Sequence, residues 1–177
     1  MRASSRRIEL VLAAALGLIL ALDVLFPPPT PGRDNPYALV VVARDGTPLR
    51  AFPGRQHVWR HPVALDEVSP LYLEALVAYE DRWFWWHPGV NPFALVRAAA
   101  QRLNHGRIVS GGSTLSMQVA RILEPMPHTI PGKLRQMARA LQLELRYSKK
   151  EILALYLNYA PMGGVLEGVE AASRAYL

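Results

Sequence analysis

Ser148-Lys149-Lys150-Glu151-Ile152-Leu153-Ala154-Leu155-Tyr156-Leu157-Asn158-Tyr159 is the stretch on which the fold turns. Ser148 and Glu151 stand three apart, the spacing of a capping box. In that motif the hydroxyl and the carboxylate each take a backbone N–H that a helix start leaves without a partner. Ile152, Leu155, Tyr156 and Tyr159 then recur every three to four residues, which gives the helix one apolar side.

Working back along the chain, the same grammar repeats. Lys133 opens a helix, with Leu134, Met137, Leu141 and Leu145 predicted to face inward. Ser113-Thr114 begins another that carries Leu115, Val119 and Ile122 and that Pro125 limits. Asn91-Pro92 begins a third with Leu95, Val96, Ala99 and Leu103, stopped by Gly106. Ser69-Pro70 begins a fourth with Leu73, Leu76 and Val77, with Ser69 as N-cap and proline at the first helical position. Ahead of these helices, residues 38–52 hold a β-branched run, an Asp45-Gly46 turn and a second apolar segment. That is a hairpin signal, and Pro48 and Pro53 suit an edge strand. It is the one clear β element, and no internal repeat is present. The expected fold is mainly α with a small β-hairpin entry.

The ends and the composition bound the rest. The chain has 177 residues, of which 51% are hydrophobic and 19% charged, so a fully disordered chain is excluded. Cysteine is absent, which excludes a disulfide scaffold, a thiolate metal site and a cysteine nucleophile. Arg2, Arg6 and Arg7 precede an apolar run, Ile8–Phe26, interrupted only by Glu9 and Asp23. Nineteen residues just reach bilayer thickness, and the arginines predict a cytoplasmic amino end. A cleaved signal peptide is the rival, with small residues near Ala21. Pro27, Pro28, Pro29, Pro31 and Pro36 then read as a stiff, extended linker. The net charge of +6 is uneven: residues 102–150 carry nine bases and two acids. That block fits either an anionic partner or a solvated helix face.

Three constellations can carry chemistry. Glu80 and Asp81 end an apolar helix and are followed by Trp83, Phe84, Trp85 and Trp86. A carboxylate walled by rings loses hydration and can act as a general base or acid; alternatively both acids are surface groups and the rings are core. The tryptophans also fit a belt at a membrane interface. Ser110-Gly111-Gly112-Ser113-Thr114 enters a helix, where free N–H groups favour an anion, with Gln118 and Arg121 one turn on. Arg135, Arg139, Gln142 and Arg146 form a row that meets either a diphosphate or water. Of the five histidines His57 and His61 stand four apart, but in no helical pattern, so no histidine metal site is expected.

Together these segments carry a resemblance. Glu80-Asp81-Arg82-Trp83-Phe84-Trp85-Trp86-His87-Pro88-Gly89 resembles the Glu-Asp-x-x-Phe-x-x-His-x-Gly signature of the family 51 glycosyltransferases, the peptidoglycan polymerases of class A penicillin-binding proteins. Gly111 to Gln118 is similar to that family's Gly-x-Ser-Thr-x-Thr-Gln-Gln, and Lys149 to Asn158 to its Lys-x-x-Ile-Leu-Glu-x-Tyr-Leu-Asn. The wording from Val109 to Leu143 is most similar to the penicillin-binding protein 1C branch.

The resemblance implies a lysozyme-like helical domain over residues 37–177, truncated at its carboxyl end, behind a tail and transmembrane anchor at 1–26 and a linker at 27–36. It implies polymerisation of lipid II by inverting transfer, with Glu80 as general base. Gln136 stands at the family's second cleft glutamate. Asp81, Arg82, Phe84, His87, Ser113, Thr114, Gln118, Arg121 and Lys133 are the implied substrate-binding residues. The implied partners are lipid II, the growing glycan strand, the inner membrane and cell-wall synthesis proteins, with no need for nucleic acid. The catalytic domain is expected in the periplasm. A divalent cation such as magnesium is implied, although no acidic ligand pair in the sequence supports it strongly. The family pattern is broken at Gln136, Ala154, Ser116 and Met117. Those departures suit the alternative, a non-catalytic or weakly active lipid II-binding module on the membrane.

Overall fold

The structure, a computed structural model, describes residues 17, 21, 23–28, 30, 37–54, 57–105 and 112–177, with backbone alone at 99 and 102–105. The expected span Ile8–Phe26, the linker at 27–36, the stop at Gly106 and the Ser110-Gly111 pair lie wholly or largely outside them. Among the described residues no helix is long and apolar enough to cross a membrane.

The predicted hairpin forms. Strands β1 (Leu39–Val42) and β2 (Pro48–Phe52) pair antiparallel, with Leu39 opposite Phe52 and Val41 opposite Arg50. Gly46 takes the left-handed backbone the turn needs (φ +87°), and Asp45 Oδ1 accepts from the Thr47 N–H at 3.0 Å. It is not the only sheet. Strands β3 (Trp59–Arg60), β4 (Pro161–Gly163) and β5 (Leu166–Glu167) form a second, in the order β3-β5-β4, with β3 parallel to β5. Strands of two or three residues are too short to show a period of two, so the sequence does not announce them. Arg60 fastens this sheet by an ion pair with Glu167 and by lying 4.3 Å from the Tyr159 ring centroid.

The helices are α1 (Pro70–Glu80), α2 (Pro92–His105), α3 (Leu115–Leu123), α4 (Ile130–Arg146), α5 (Lys149–Tyr159) and a short, unanticipated α6 (Val169–Tyr176). The capping box at Ser148 and Glu151 is present, and Asn91 Oδ1 accepts from the Ala94 N–H at 3.1 Å. Ser69 occupies the N-cap of α1, but its hydroxyl makes no capping hydrogen bond. Thr114 caps α3, taking the Met117 N–H at 3.1 Å. The core gathers around α3 and α5, where Leu115, Met117, Ile152, Leu153 and Leu157 bury completely or nearly so, with Phe84 and Leu143 beside them.

Helix α4 departs from expectation twice. It starts at Ile130 rather than Lys133, because Thr129 caps it through the Gly132 N–H and Pro131 sits in its first turn. Its inward residues are Gly132, Gln136, Ala140 and Leu143; Leu134 and Leu145 are 60% and 62% exposed, and Leu141 is exposed too. The leucine spacing defines a stripe correctly but does not say which way it faces. Close approach decides that. The loop at Gly89 lies so near α4 that a Cβ there would meet the Ala140 carbonyl oxygen at 2.8 Å, so the side bearing Ala140 is the inner one. Gly89 also has φ +94°. Gly89→Ala is therefore expected to cost about 3 kcal/mol through strain and overpacking, a fall of roughly 6–12 °C in Tm. A melt unchanged within a degree would show that the loop can retreat from α4.

The described end of the amino-terminal segment lies along α4. Arg146 donates to Asp23 Oδ2 at 2.6 Å, and Arg139 donates to the carbonyls of Phe26 and Pro27 at 2.7 and 3.2 Å. Arg135 and Arg139 also both pair with Glu124. The basic row thus has partners within the chain that neither sequence reading anticipates.

Candidate active site

Two adjacent acids at the end of α1 have different surroundings. Asp81 is the helix C-cap and is 7% exposed. His87 Nδ1 accepts from the Gly89 N–H at 3.1 Å, so the ring proton sits on Nε2, which donates to both Asp81 oxygens at 2.9 and 3.0 Å. The Leu115 N–H, in the first turn of α3, donates to the same carboxylate at 3.0 Å. A negative charge at a helix start also suits the helix dipole. The Thr114 hydroxyl donates to the Gly89 carbonyl at 2.5 Å. The turn after α1 is therefore tied to α3 at two points.

Lys149, at the start of α5, ties it a third time. Its ammonium donates to the His87 carbonyl at 2.6 Å and to Glu144 Oε1 at 2.7 Å, and lies 4.5 Å from the Phe84 ring centroid. Ser116 donates to the same Glu144 oxygen. Phe84 is fully buried, whereas Trp83, Trp85 and Trp86 are exposed, so the expected aromatic wall is one core ring and three surface rings. Lys149 is a motif position to which the sequence attaches no role, and Glu144 is not marked at all. A lysine at a helix start and a glutamate in a basic helix have no spacing that marks them as partners.

Glu80 is half-buried and accepts from Gln118 Nε2 at 2.8 Å. Its charge reaches two phenols. Burial, then Glu80 and Tyr72, push Tyr156 up to about 12, and burial followed by Glu80 raises Tyr72. On the next turn of chemistry, Lys133 Nζ donates to Ser113 Oγ at 2.5 Å and to Gln136 Oε1 at 3.0 Å. Gln136 is 4% exposed, and its Nε2 donates to the Met117 carbonyl at 2.6 Å. Burial, with Arg121 adding to it, holds Lys133 below the usual lysine range. Arg121 is exposed on α3 near His128, with nitrogens 3.4 Å apart. Arg82 is exposed on the turn.

Of the anticipated residues, Glu80 thus meets Gln118 of α3, while Ser113, Lys133 and Gln136 form a second hydrogen-bonded group that reaches the adjacent Met117, and Arg121 stands on the same helix. Asp81, Phe84, His87 and Thr114 lie inside, behind them. Hollows of about 370 and 390 Å3 open elsewhere, one beside His61 and Arg174 and one beside Tyr72 and Tyr176. Neither includes Glu80 or Lys133, and the hydrogen-bonded cluster carries more chemistry than their mostly apolar walls.

The family described as Transglycosylase matches residues 45–177. The chain belongs to the transglycosylase family. Among its relatives, penicillin-binding protein 1C of Escherichia coli is 62% identical over 155 residues, 88% of this chain and 20% of that protein. Penicillin-binding protein 1A of Aquifex aeolicus is 40% identical over 118 residues, 66% of this chain and 16% of that one. The biosynthetic peptidoglycan transglycosylase of Nitrosospira multiformis is 37% identical over 115 residues, 64% of this chain and 50% of that one. The chain spans about a fifth of the penicillin-binding proteins and half of the shorter transglycosylase. All of the site residues fall within the stretch that matches the transglycosylase family.

Proposed function

We propose that this transglycosylase domain polymerises lipid II into glycan strands. The 4-hydroxyl oxygen of one sugar attacks the anomeric carbon of the other, with inversion. Glu80 takes the hydroxyl proton, and the bond to the lipid diphosphate breaks with its electron pair leaving on that diphosphate. The observation that carries this reading is the placement of Glu80 and Lys133, an acid and a cation held through neighbouring residues of α3. Ser113, Gln118 and Arg121 border the same cluster and are the proposed substrate contacts. Asp81, His87 and Thr114, expected to bind substrate, are proposed instead to position the turn that follows Glu80. A helical domain presenting one glutamate from a helix end supports a lysozyme-like architecture.

Lys133→Met should lower glycan formation from lipid II about 10²–10³-fold, the loss typical of removing one fixed stabiliser of developing charge. In the unaltered protein the rate should fall on the alkaline side earlier than an ordinary lysine would dictate, because the cationic form is the useful one and burial lowers its pKa. Turnover unchanged by Lys133→Met would remove the ammonium from the mechanism. Binding of lipid II without turnover would favour the binding-module reading, to which Gln136 and Ala154 lend support.

The proposed setting is the inner membrane, with residues 1–26 as tail and anchor, 27–36 as linker and the domain from 37 onward in the periplasm. Cell-wall synthesis proteins are the proposed protein partners. The exposed leucines of α4 support contact with lipid, since the neighbouring row of that helix, Arg139 and Arg146, holds Asp23, Phe26 and Pro27 at the end of the apolar run. Leu134→Glu, Leu141→Glu and Leu145→Glu combined should weaken sedimentation with phospholipid vesicles at least tenfold for protein lacking residues 1–22. Equal sedimentation would place the lipid contact elsewhere.

A further inference from the structure

The family resemblance implies a divalent cation, and a hard cation of that kind needs converging oxygen ligands. The residues present do not fit one. Among the described residues no three His, Asp or Glu side chains are grouped to hold a metal. Glu80 is turned onto Gln118, and the place of the second cleft glutamate is taken by Gln136.

Gln136 is not an acid that has merely lost its charge. It is almost wholly buried and uses both ends of its amide: Nε2 donates to the Met117 carbonyl at 2.6 Å, and Oε1 accepts from Lys133 Nζ at 3.0 Å. An ionised carboxylate has no hydrogen to give that carbonyl, so it would satisfy one partner and repel the other. Ser113 Oγ accepts from the same ammonium at 2.5 Å. Lys133 is therefore oriented by two neutral oxygens, and neither cancels its charge. The charged group acting on it is another cation, Arg121.

We propose that Gln136 is a positioning residue that makes Lys133 the resident cation of this site, so that a lipid diphosphate is bound there without a divalent ion. This rests on the diphosphate-substrate reading above. A glutamate at 136 would instead neutralise Lys133 and add the second carboxylate that a metal ion needs.

The test is binding of farnesyl diphosphate, which has the chemistry of the leaving group, to the full chain in detergent micelles, with magnesium chloride or with EDTA. Unaltered protein should bind with the same Kd in both, within about threefold. Gln136→Glu should bind about tenfold more weakly in EDTA and recover with magnesium, a loss of about 1.4 kcal/mol. The alkaline limit of its binding should also move to higher pH, since a carboxylate beside Lys133 favours the ammonium. Lys133→Met should bind weakly in both. Magnesium-dependent binding by the unaltered protein would overturn the proposal and leave the substrate reading standing. No binding in either condition would overturn both. The unaltered protein decides these outcomes even if Gln136→Glu fails to fold. A folded Gln136→Glu indifferent to magnesium would overturn the role given to Gln136.

Discussion

Glu80→Gln should reduce glycan formation by about 10²–10⁴-fold, the usual contribution of a general base, with the fold unchanged. The reasoning is local. Glu80 is the last residue of α1, half-buried, with one hydrogen bond from Gln118. Glutamine has the same size and can accept that bond, but it cannot take a proton. Thermal stability should therefore stay within about 1 kcal/mol. An internal marker reports that the charge has gone: Tyr72 and Tyr156, whose phenols Glu80 helps to hold protonated, should ionise at lower pH in the variant. Rates within threefold of the unaltered protein, with the tyrosine titration shifted, would show that Glu80 is charged and yet not the base.

Asp81→Asn should act in the opposite way, chiefly on stability. The buried carboxylate of Asp81 accepts from His87 Nε2 and from the Leu115 N–H. An asparagine offers one oxygen and sets an NH2 against a donor. Hydrogen bonds to a buried charge are each worth about 1.5–3 kcal/mol, so the expected loss is about 3–5 kcal/mol. That corresponds to roughly 6–20 °C in Tm for a domain of this size. Activity should fall as well, because the same bonds hold the turn that follows Glu80. The two adjacent acids are thereby separable: one variant loses rate and keeps its melt, and the other loses its melt. A melt for Asp81→Asn within 2 °C of the unaltered protein would refute the bracing role.

What the sequence discloses depends on the range of the interaction. The capping box at Ser148, the Asp45-Gly46 turn and the starts of α1, α2 and α3 are settled within a few residues, and each is legible. The pairing of β3 with β5 joins residue 59 to residue 166, and nothing local marks either strand. Helix α4 is the instructive middle case. Its leucines are correctly spaced to share one side, but the Gly89 loop closes on Ala140 and the Pro127–Thr129 turn closes on Gly132, so that the other side is the inner one.

The site divides in the same way. Glu80, Gln118, Ser113 and Lys133 are readable as motif positions, and they do gather. The different surroundings of Glu80 and Asp81 are not readable, because only the arrival of α3 provides the N–H that Asp81 accepts. The row of arginines on α4 suits either a diphosphate or water in sequence. Its partners, Glu124 and the backbone at Phe26 and Pro27, come from elsewhere in the chain.

The most direct test of the central claim is incubation of the full chain with lipid II in detergent, with products separated by size and their new glycosidic bonds assigned by NMR. The account predicts a ladder of β-linked glycan strands, formed with inversion at the donor carbon, and one lipid diphosphate released for each bond made. Lipid II that is bound but returned unchanged would contradict it and leave a binding module in place of a polymerase.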